Sequence, residues 1–241
     1  MKIVISGYGR MGHEVEKIAL SRSHIIIATV DNDIEWSEQS EIIKTADVVI
    51  DFSLPQTATK VFEKCFELGV PIVTGTTGWY EDLESVRVSC EKNNACFFYS
   101  HNFSIGVNIF FEANKLIASL TAAANNYSVG VEETHHVHKM DSPSGTAIKV
   151  AEDIISEYQE LKEWKNYAEV DKSQLPIKSY REGEVIGSHS VDYHSNIDHI
   201  RISHIAKNRS GFALGAILAA EYVFGKKGFF SMSDLMKDLQ K

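Results

Sequence analysis

Short apolar runs alternate with helical patterns over the first hundred residues of the chain. Five runs have the β-branched and aromatic composition of buried strands, at 2–6, 24–30, 47–51, 71–74 and 95–99. Between them, apolar residues recur at helical spacing over 11–20, 56–68 and 81–93. Only fifteen residues separate Asp31 from Asp47, too few for a full-length helix with its loops. This alternation predicts an α/β fold with a doubly wound parallel sheet, abbreviated at that one crossover.

The rhythm changes after residue 104. The pattern there predicts, in order, a helix, a strand, a second helix, an antiparallel sheet with one solvated face and an apolar helix, over 105–120, 127–137, 143–157, 186–205 and 211–224. Residues 160–180 are polar and poorly periodic, so we predict a loop there. Mixed helices and strands of this kind are typical of an α+β unit.

Composition and charge narrow the class of protein. The chain has 241 residues and a formal net charge of −9, which disfavours nucleic-acid binding because that requires a basic face. No apolar stretch approaches the roughly 18 residues that span a bilayer, and the first residues do not form a signal-peptide pattern. We predict a cytoplasmic protein that binds neither nucleic acid nor membrane.

The three cysteines support a reducing compartment. Cys65, Cys90 and Cys96 are unevenly spaced and form no CxxC pair. We predict reduced thiols that pack as small apolar residues, with a catalytic thiol as the alternative.

A glycine-rich turn follows the first predicted strand. Residues 7–12 read GYGRMG and lead directly into a helical pattern. In a GxGxxG turn the first glycine makes the tight turn, the second lets a pyrophosphate approach the backbone and the third lets helix pack on strand. Asp31 ends the second strand nineteen residues after Gly12, where a ribose-binding carboxylate belongs. The turn predicts a dinucleotide site; the alternative is a tight turn without a ligand.

The residues around Asp31 favour NADH. Asn32 follows it, with no lysine or arginine beside it, and a carboxylate repels the 2′-phosphate of NADPH. Arg10 could still reach such a phosphate. Two later loops, 75–78 and 100–104, follow the fourth and fifth strands, where cofactors lie in such sheets. They, like 51–53, could instead be ordinary helix-entry loops with capping hydroxyls.

The segment 132–147, EETHHVHKMDSPSGTA, concentrates the candidate chemistry. It holds three of the ten histidines and a lysine on a predicted strand end. In a strand His135 and Lys139 share one face, so we expect both to point into one cleft. A helix should follow, with Asp141 or Ser142 as its cap, Pro143 in its first turn and the free N–H groups of 144–146 beside it. Such a helix start and a titratable cation suit a substrate with carboxylates.

Less specific explanations exist for the histidines. A metal site built from HHxH is possible, but adjacent histidines point apart in a strand and no HExxH motif or cysteine pair supports one, so we predict no metal. Histidines that only form surface hydrogen bonds are the other alternative. We assign five to that class: His13, His24, His189, His194 and His204.

The segment ETHHVHKMDSPSGTA resembles the signature of the dihydrodipicolinate reductase family, usually E-x-H-H-x-x-K-x-D-A-P-S-G-T-A. GYGRMG, DFS, GTTG and NFSIGVN stand in that family's order, so the resemblance covers most of the chain. The long histidine–lysine string is specific, whereas the glycine loop is not. The resemblance implies reduction of 4-hydroxy-tetrahydrodipicolinate, with loss of water, to tetrahydrodipicolinate by NADH or NADPH in lysine and diaminopimelate biosynthesis.

The resemblance also implies an architecture and a set of site residues. It implies a Rossmann-type dinucleotide-binding domain over 1–104 and 212–241, and an α+β substrate-binding and oligomerisation domain over 105–211, in a homo-oligomer that is usually a tetramer. It assigns acid/base catalysis to His135 and proton donation to Lys139. Contacts to a small dicarboxylate substrate fall on His136, Gly145 and Thr146. Cofactor contacts fall on Gly7, Tyr8, Gly9, Arg10, Met11, Gly12, Asp31, Gly75, Thr76, Thr77, Ser100, His101, Asn102 and Phe103.

The chain departs from the family pattern at a few positions, and two rival functions remain. Ser142 replaces the usual alanine, and His101 stands where a small residue is commoner. The glycine loop is one residue shorter than in many members, and Asp31 with Asn32 lacks the acidic–basic pair that would accept both cofactors. An aspartate dehydrogenase, or a nucleotide-sensing regulator without turnover, would explain the glycine loop. Neither needs His135 and Lys139 together.

Overall fold

The computed structural model describes residues 1–166 and 171–240. Contacts divide the chain into two compact units, Met1–Ile105 with Arg209–Lys241, and Gly106–Asn208. The sequence analysis placed these boundaries between 104 and 105 and between 211 and 212. The binding roles expected for the two units stay predictions.

The elements follow in chain order. The strands are β1 (Lys2–Ser6), β2 (Ile25–Val30), β3 (Val48–Asp51), β4 (Ile72–Thr74), β5 (Cys96–Tyr99), β6 (Ser128–His135), β7 (Glu163–Lys165), β8 (Gln174–Arg181), β9 (Ser188–His194), β10 (His199–Ile205) and β11 (Gly228–Ser231). The helices are α1 (Arg10–Ser21), α2 (Asp33–Glu38), α3 (Ser40–Ile43), α4 (Pro55–Leu68), α5 (Leu83–Lys92), α6 (Ile105–Ala124), α7 (Gly145–Glu157), α8 (Ser210–Val223) and α9 (Met232–Asp238).

The first unit is built on a parallel sheet with the strand order β11-β5-β4-β3-β1-β2. This confirms the Rossmann-type, doubly wound prediction. Two short helices, α2 and α3, fill the abbreviated crossover between β2 and β3. Strand β11, which extends the sheet beside β5, was not predicted from the sequence. Its run, GFFS, has only two apolar residues between a glycine and a serine, which is a weak strand pattern.

Both faces of this sheet carry an apolar core, as its alternating strand residues require. Ile3 and Ile5 of β1 pack with residues of α1 and α8, whereas Val4 packs on the opposite face with residues of α4 and α5. The cysteines belong to these cores: all three are free and buried. Burial raises the pKa of the Cys96 thiol to about 12 and that of Cys90 to about 11. The prediction that they pack as small apolar residues is confirmed.

The second unit contains a mixed sheet with the order β10-β9-β6-β8-β7. The predicted antiparallel pairing is confirmed for β9 with β10, and β6 also pairs antiparallel with β9. However, β8 runs parallel to both β6 and β7. Side chains of α6 and α7 cover one face of this sheet. Among the residues that the structure describes, no helix combines the length and apolarity that crossing a membrane requires.

The loop predicted over 160–180 is wrong for most of its length. It contains β7 and β8, while residues 167–170 lie outside the described residues. Leu175 and Ile177 of β8 are fully buried at alternate positions, which is a strand pattern. Pro176 between them argues against a strand because it cannot donate a ladder hydrogen bond. Burial of its two neighbours outweighs that loss.

We predict that Gly215→Ala destabilises the first unit. A Cβ at Gly215 in α8 would lie 1.7 Å from the carbonyl oxygen of Phe103, so the helix must move away. Overpacking against fixed backbone should cost about 1–3 kcal/mol or more, beyond the gain in helix propensity. Denaturant titration measures the change in the free energy of unfolding.

Gly211→Ala in the same helix is the matched control. A Cβ there would meet its nearest neighbour, the Ser104 hydroxyl oxygen, at an ordinary 3.8 Å. It should be neutral or slightly stabilising. Equal effects of the two substitutions would contradict the packing argument.

Candidate active site

The end of β6 brings a buried polar cluster together. In the register of the sheet, Glu133 lies beside His189 of β9 and Ser179 of β8, and His135 lies beside Arg181 of β8. Glu133 and His135 are two residues apart in a strand, so both point to the face covered by α7. Their side chains are buried, with Glu133 1% and His135 7% exposed. The cluster therefore puts a carboxylate and an imidazole side by side away from water.

Glu133 is the centre of this cluster. Its Oε1 accepts a hydrogen bond from the Ser144 amide at 3.0 Å and lies 3.4 Å from the Arg181 guanidinium. Its Oε2 lies 3.0 Å from Nδ1 of His135. That distance suits an ion pair or hydrogen bond, although neither atom has a partner at hydrogen-bonding angles among the described residues.

Electrostatics keep the Glu133 carboxylate ionised. Burial by itself raises the pKa of a carboxyl group because it penalises the charged form. Here, polar contacts with His135, Ser144 and Ser179 outweigh burial and hold the pKa of Glu133 well below its usual range. Glu133 is thus a buried negative charge with a defined set of partners.

His189 belongs to the same cluster, so its assignment as a surface histidine is wrong. It is 5% exposed, and its Nε2 lies 3.1 Å from the Ser144 hydroxyl oxygen. Its ring packs nearly edge-on to that of His135, with centroids 5.0 Å apart. Burial, followed by the charge of His135, lowers the pKa of His189 to about 3 despite the nearby Glu133. His189 is therefore neutral near neutral pH.

Lys139 lies in a turn rather than in a strand. β6 ends at His135, so the strand alternation predicted through residue 139 is wrong, and no sheet register aligns Lys139 with His135. Nζ of Lys139 pairs with Asp141 at 2.8 Å. Arg181 donates to the carbonyl oxygens of Lys139 at 3.4 Å and of Asp141 at 2.6 Å. Arg181 thereby connects the Lys139 turn to the Glu133–His135 pair. His136, which directly follows the last residue of β6, is half-buried.

Helix α7 begins two residues later than predicted. Its N-cap is Ser144, whose hydroxyl oxygen accepts a hydrogen bond from the Ala147 amide at 3.2 Å, so the expected caps Asp141 and Ser142 and the first-turn position of Pro143 are wrong. Glu133 selects this cap by binding the Ser144 amide. Gly145 starts the helix, and a Cβ there would meet nothing within 4 Å. Thr146 follows it, half-buried.

The glycine loop of the first unit has two packed glycines and one open one. A Cβ at Gly7, where φ is +84°, would lie 2.3 Å from the Phe52 carbonyl oxygen, and one at Gly12 would lie 2.5 Å from that of Gly7. A Cβ at Gly9 would meet nothing within 4 Å. Gly9 is the N-cap of α1, and no side chain caps that helix start. Asp31 accepts from the Tyr8 amide at 2.5 Å, which joins the loop to the end of β2.

The other predicted cofactor residues divide into exposed and buried groups. Arg10 and Thr77 are exposed, and His101 packs its ring 4.0 Å from that of Tyr80. Phe103 is 2% exposed and belongs to the core, so only its backbone is available to a ligand. The remaining members lie at the surface of the loops or just beneath it: Tyr8, Met11, Gly75, Thr76, Ser100 and Asn102.

A buried carboxylate, Asp51, holds the loop at 75–78 in place. The hydroxyl groups of Thr74 and Thr76 both donate to its Oδ2 at 2.8 Å. Burial raises the pKa of Asp51, and the hydrogen bonds from hydroxyl groups around it act in the opposite direction. A Cβ at Gly75 would lie 2.2 Å from the Phe52 ring. The Thr76 hydroxyl group is thus occupied by a hydrogen bond within the protein, whereas Thr77 of the same loop is exposed.

Glu133, His135 and His189 present ligand atoms within 4.8 Å of one another, as a metal site would. Arg181 places a positive charge against the same carboxylate, which opposes a cation there. A second cluster, Asp192 with His194 and His199, likewise has Arg201 at 3.5 Å from its carboxylate. In both clusters an arginine side chain already neutralises the carboxylate, so neither cluster favours a metal ion.

Sequence reasoning missed Glu133, Arg181 and His189. Glu133 could have been found by the same two-residue alternation that selected His135. Arg181 and His189 join the cluster only through the pairing register of β6 with β8 and β9, which residue patterns do not reveal.

Comparison with known proteins identifies the chain's relatives. The family models described as dihydrodipicolinate reductase, N-terminus and C-terminus, match residues 1–103 and 106–236. A 4-hydroxy-tetrahydrodipicolinate reductase from Christiangramia forsetii is 46% identical over 241 residues, covering 100% of both chains. One from Archaeoglobus fulgidus is 31% identical, covering 98% of this chain and 100% of the relative. The solved dipicolinate-bound dihydrodipicolinate reductase from Paenisporosarcina sp. TG-14 superposes with a TM-score of 0.78 at 24% identity, covering 97% of this chain and 98% of that one.

The fold and these matches together show that the chain is an oxidoreductase with a Rossmann-type sheet. The chain belongs to the dihydrodipicolinate reductase family, and its activity is the reduction for which its curated relatives are named, that of 4-hydroxy-tetrahydrodipicolinate. This confirms the resemblance and places the chain in lysine biosynthesis. It also decides against an aspartate dehydrogenase and against a regulator without turnover.

The low pKa of His189 predicts a loss of stability in acid. Unfolded, His189 takes up a proton near its ordinary pKa of 6.5, but folded only near a pKa of about 3. Between these values the unfolded chain binds more protons, so the free energy of unfolding falls as the pH falls, by at most about 1.4 kcal/mol per pH unit from this group. The lowered pKa of Glu133 acts in the same direction at more acid pH.

His189→Gln should flatten this dependence between pH 6.5 and about 4, as denaturant titrations at several pH values would measure. His194→Gln, which changes an exposed histidine of the same strand, is the control and should leave the slope unaltered. An unchanged slope in His189→Gln would mean that His189 is already protonated in the folded protein.

Proposed function

We propose that the end of β6 and the start of α7 bind the dicarboxylate substrate, and that His135 and Lys139 supply its proton chemistry. The observation that carries this proposal is the buried Glu133–His135 pair beside the open helix start at Gly145. Helix N-terminal amides stabilise carboxylates, and no packing reason explains a glycine there. The relative from Paenisporosarcina is bound to dipicolinate, which is itself a small dicarboxylate.

The residues divide the work by their chemistry. The amides at Gly145 and Thr146 hold one carboxylate of the substrate, and His136 and Lys139 contact the rest of it. His135 exchanges a proton with the substrate, and Lys139 donates the proton that neutralises the charge developing on the substrate. Bound NADH or NADPH supplies the hydride. The protein thus contributes binding, orientation and proton transfer.

The glycine loop fits a dinucleotide. The uncapped N-terminus of α1 offers amides to an anion, and the empty space at Gly9 allows it to approach the backbone. Gly7 and Gly12 are explained by packing, but Gly9 is not. The ribose-facing carboxylate is Asp31, and Arg10, Thr77, Ser100, His101, Asn102 and the backbone of Phe103 complete the predicted cofactor surface.

We predict that His135→Gln and Lys139→Ala each lower kcat by about 10²–10⁴-fold, the usual contribution of general acid/base groups. NADH affinity should stay within about twofold of the parent, since both residues lie in the other unit. The double variant should fall short of the product of the two losses, because both groups serve one transition state. Turnover at saturating substrate and a separate NADH titration measure these quantities.

A variant that retained more than about half the parental turnover would identify its residue as a bystander. His138→Gln is the matched control, because His138 is an exposed histidine of the same segment and pairs with Glu184 at 3.5 Å. It should retain parental turnover.

We predict that NADH binds at least as tightly as NADPH. Asp31 has no cationic neighbour in sequence and would repel a 2′-phosphate. Fluorescence titrations of both cofactors at fixed salt test this. A tenfold preference for NADPH, worth about 1.4 kcal/mol, would point to Arg10 instead.

Gly9→Ala tests whether the cofactors measured in these titrations bind at the glycine loop. Its methyl group would enter open space, so both cofactors should bind more weakly while the melting temperature stays unchanged. Gly12→Ala should instead lower the melting temperature, because its methyl group meets the Gly7 carbonyl oxygen.

We also propose a cytoplasmic homo-oligomer, a tetramer by analogy with the family. The face of the second sheet opposite α6 and α7 carries Glu132, Lys178, Asp192 and Arg201, which form ion pairs on an uncovered surface. This face can pair with a copy of itself. Sedimentation equilibrium gives the mass, and a monomer would exclude the proposal. Three buried, free thiols suit a reducing cytoplasm.

A further inference from the structure

The two oxygens of the Glu133 carboxylate face different kinds of partner. Oε1 faces the Ser144 amide and the Arg181 guanidinium, which can only donate hydrogen bonds. Oε2 faces Nδ1 of His135 at 3.0 Å. An ionised carboxylate only accepts hydrogen bonds, so it favours a proton on Nδ1 of the imidazole.

The opposite edge of the imidazole faces Gly187. Gly187, which precedes β9, lies beside Nε2 of His135, and a Cβ on it would approach that atom to 3.1 Å. Because residue 187 is a glycine, no side chain from that position crowds Nε2, and Nδ1, not Nε2, is the ring nitrogen counted among the fully buried atoms without a partner. With Nδ1 protonated, the lone pair or exchangeable proton of the ring is therefore on Nε2.

We propose that Glu133 is a positioning residue, whose buried carboxylate keeps the proton of His135 on Nδ1 and directs Nε2 at the substrate. The proposal rests on the proposed function, in which His135 exchanges the substrate's proton. Glu133 acts through His135 and does not itself touch the substrate.

The other charges around His135 are arranged so that they do not compete for this carboxylate oxygen. Arg181 on β8 is confined to the Oε1 side, and Lys139 is paired with Asp141. His189 on β9 is neutral near neutral pH, and its Nε2 lies 3.7 Å from Oε2, farther than Nδ1 of His135. His204 on β10 lies beside His189 in the sheet register. Of the two histidines that face Oε2, His135 is thus the nearer.

Glu133→Gln is a decisive test because the surrounding donors fix the orientation of the new glutamine amide group. Ser144 and Arg181 both donate towards Oε1, so the amide oxygen of glutamine must take that place. The amide NH₂ group then faces Nδ1 of His135 and requires it to accept. The variant keeps its shape and reverses the tautomer of the imidazole. The same logic makes amide replacement of the triad carboxylate damaging in serine hydrolases.

The first measurement reads the tautomer directly, in the resting protein and without turnover. ¹⁵N chemical shifts of the histidine rings at alkaline pH distinguish Nδ1–H from Nε2–H, and the signals missing in His135→Gln assign that residue. We expect Nδ1–H in the parent and Nε2–H in Glu133→Gln. An Nε2–H tautomer in the parent overturns the proposal, whether or not the variant folds.

The second measurement is kinetic. Glu133→Gln should lower kcat by about 10²-fold or more, with little change in the KM for substrate or in NADH affinity. The matched control is Glu152→Gln, the same substitution at an exposed glutamate of α7. It should keep parental kcat. A Glu133→Gln variant that retains over half of its turnover overturns the proposal.

These outcomes distinguish a failure of the proposed function from a failure of the positioning role of Glu133. If His135→Gln keeps its turnover, the proposed function fails first. If His135 is required but its tautomer does not depend on Glu133, only the positioning role fails. Loss of activity with a chelator and its restoration by zinc would mean that Glu133, His135 and His189 hold a metal, which also overturns the proposal.

Discussion

An ionised carboxylate inside a protein loses hydration worth several kcal/mol, so it persists only where donors and cations replace the lost water. Glu133 is such a group, and its replacement partners come from four parts of the second unit. They are His135 on the same strand, Arg181 on β8, His189 on β9 and the cap of α7. Satisfying this one charge therefore requires the sheet register, the start of the helix and the Lys139 turn to be correct together.

The first unit uses a buried carboxylate in a comparable way. Asp51 ends β3 and accepts hydrogen bonds from Thr74 and Thr76, which lie at the end of the neighbouring strand and in the loop after it. The carboxyl ends of parallel strands meet at one edge of the sheet, where ligands bind in this class of fold. A buried acceptor at that edge holds the loops in one conformation. In both units, a buried carboxylate thus holds neighbouring segments in place.

Sequence patterns correctly predicted the elements whose formation depends on nearby residues. Strand and helix periods located β1 to β5, α8 and the Rossmann-type sheet, and the glycine spacing located the turn at 7–12. The errors lie where tertiary contacts override the local signal. Ser144 replaces Ser142 as the cap because Glu133 binds its amide, and β8 forms across Pro176 because its neighbours are buried. His189 appears ordinary in sequence, since only the pairing of β9 with β6 brings it to Glu133.

Burial also decides which cation can meet a substrate carboxylate. Lys139 and Arg181 each have an acidic partner, so neither is an unpaired positive charge. The Lys139–Asp141 pair is partly exposed, and such pairs are worth about 0–1 kcal/mol, so exchanging Asp141 for a substrate carboxylate costs little. Arg181 pairs with fully buried Glu133, and leaving such a charge without its partner costs about 3–5 kcal/mol. Lys139 is therefore the cation able to change partners, while Arg181 stays with Glu133 throughout.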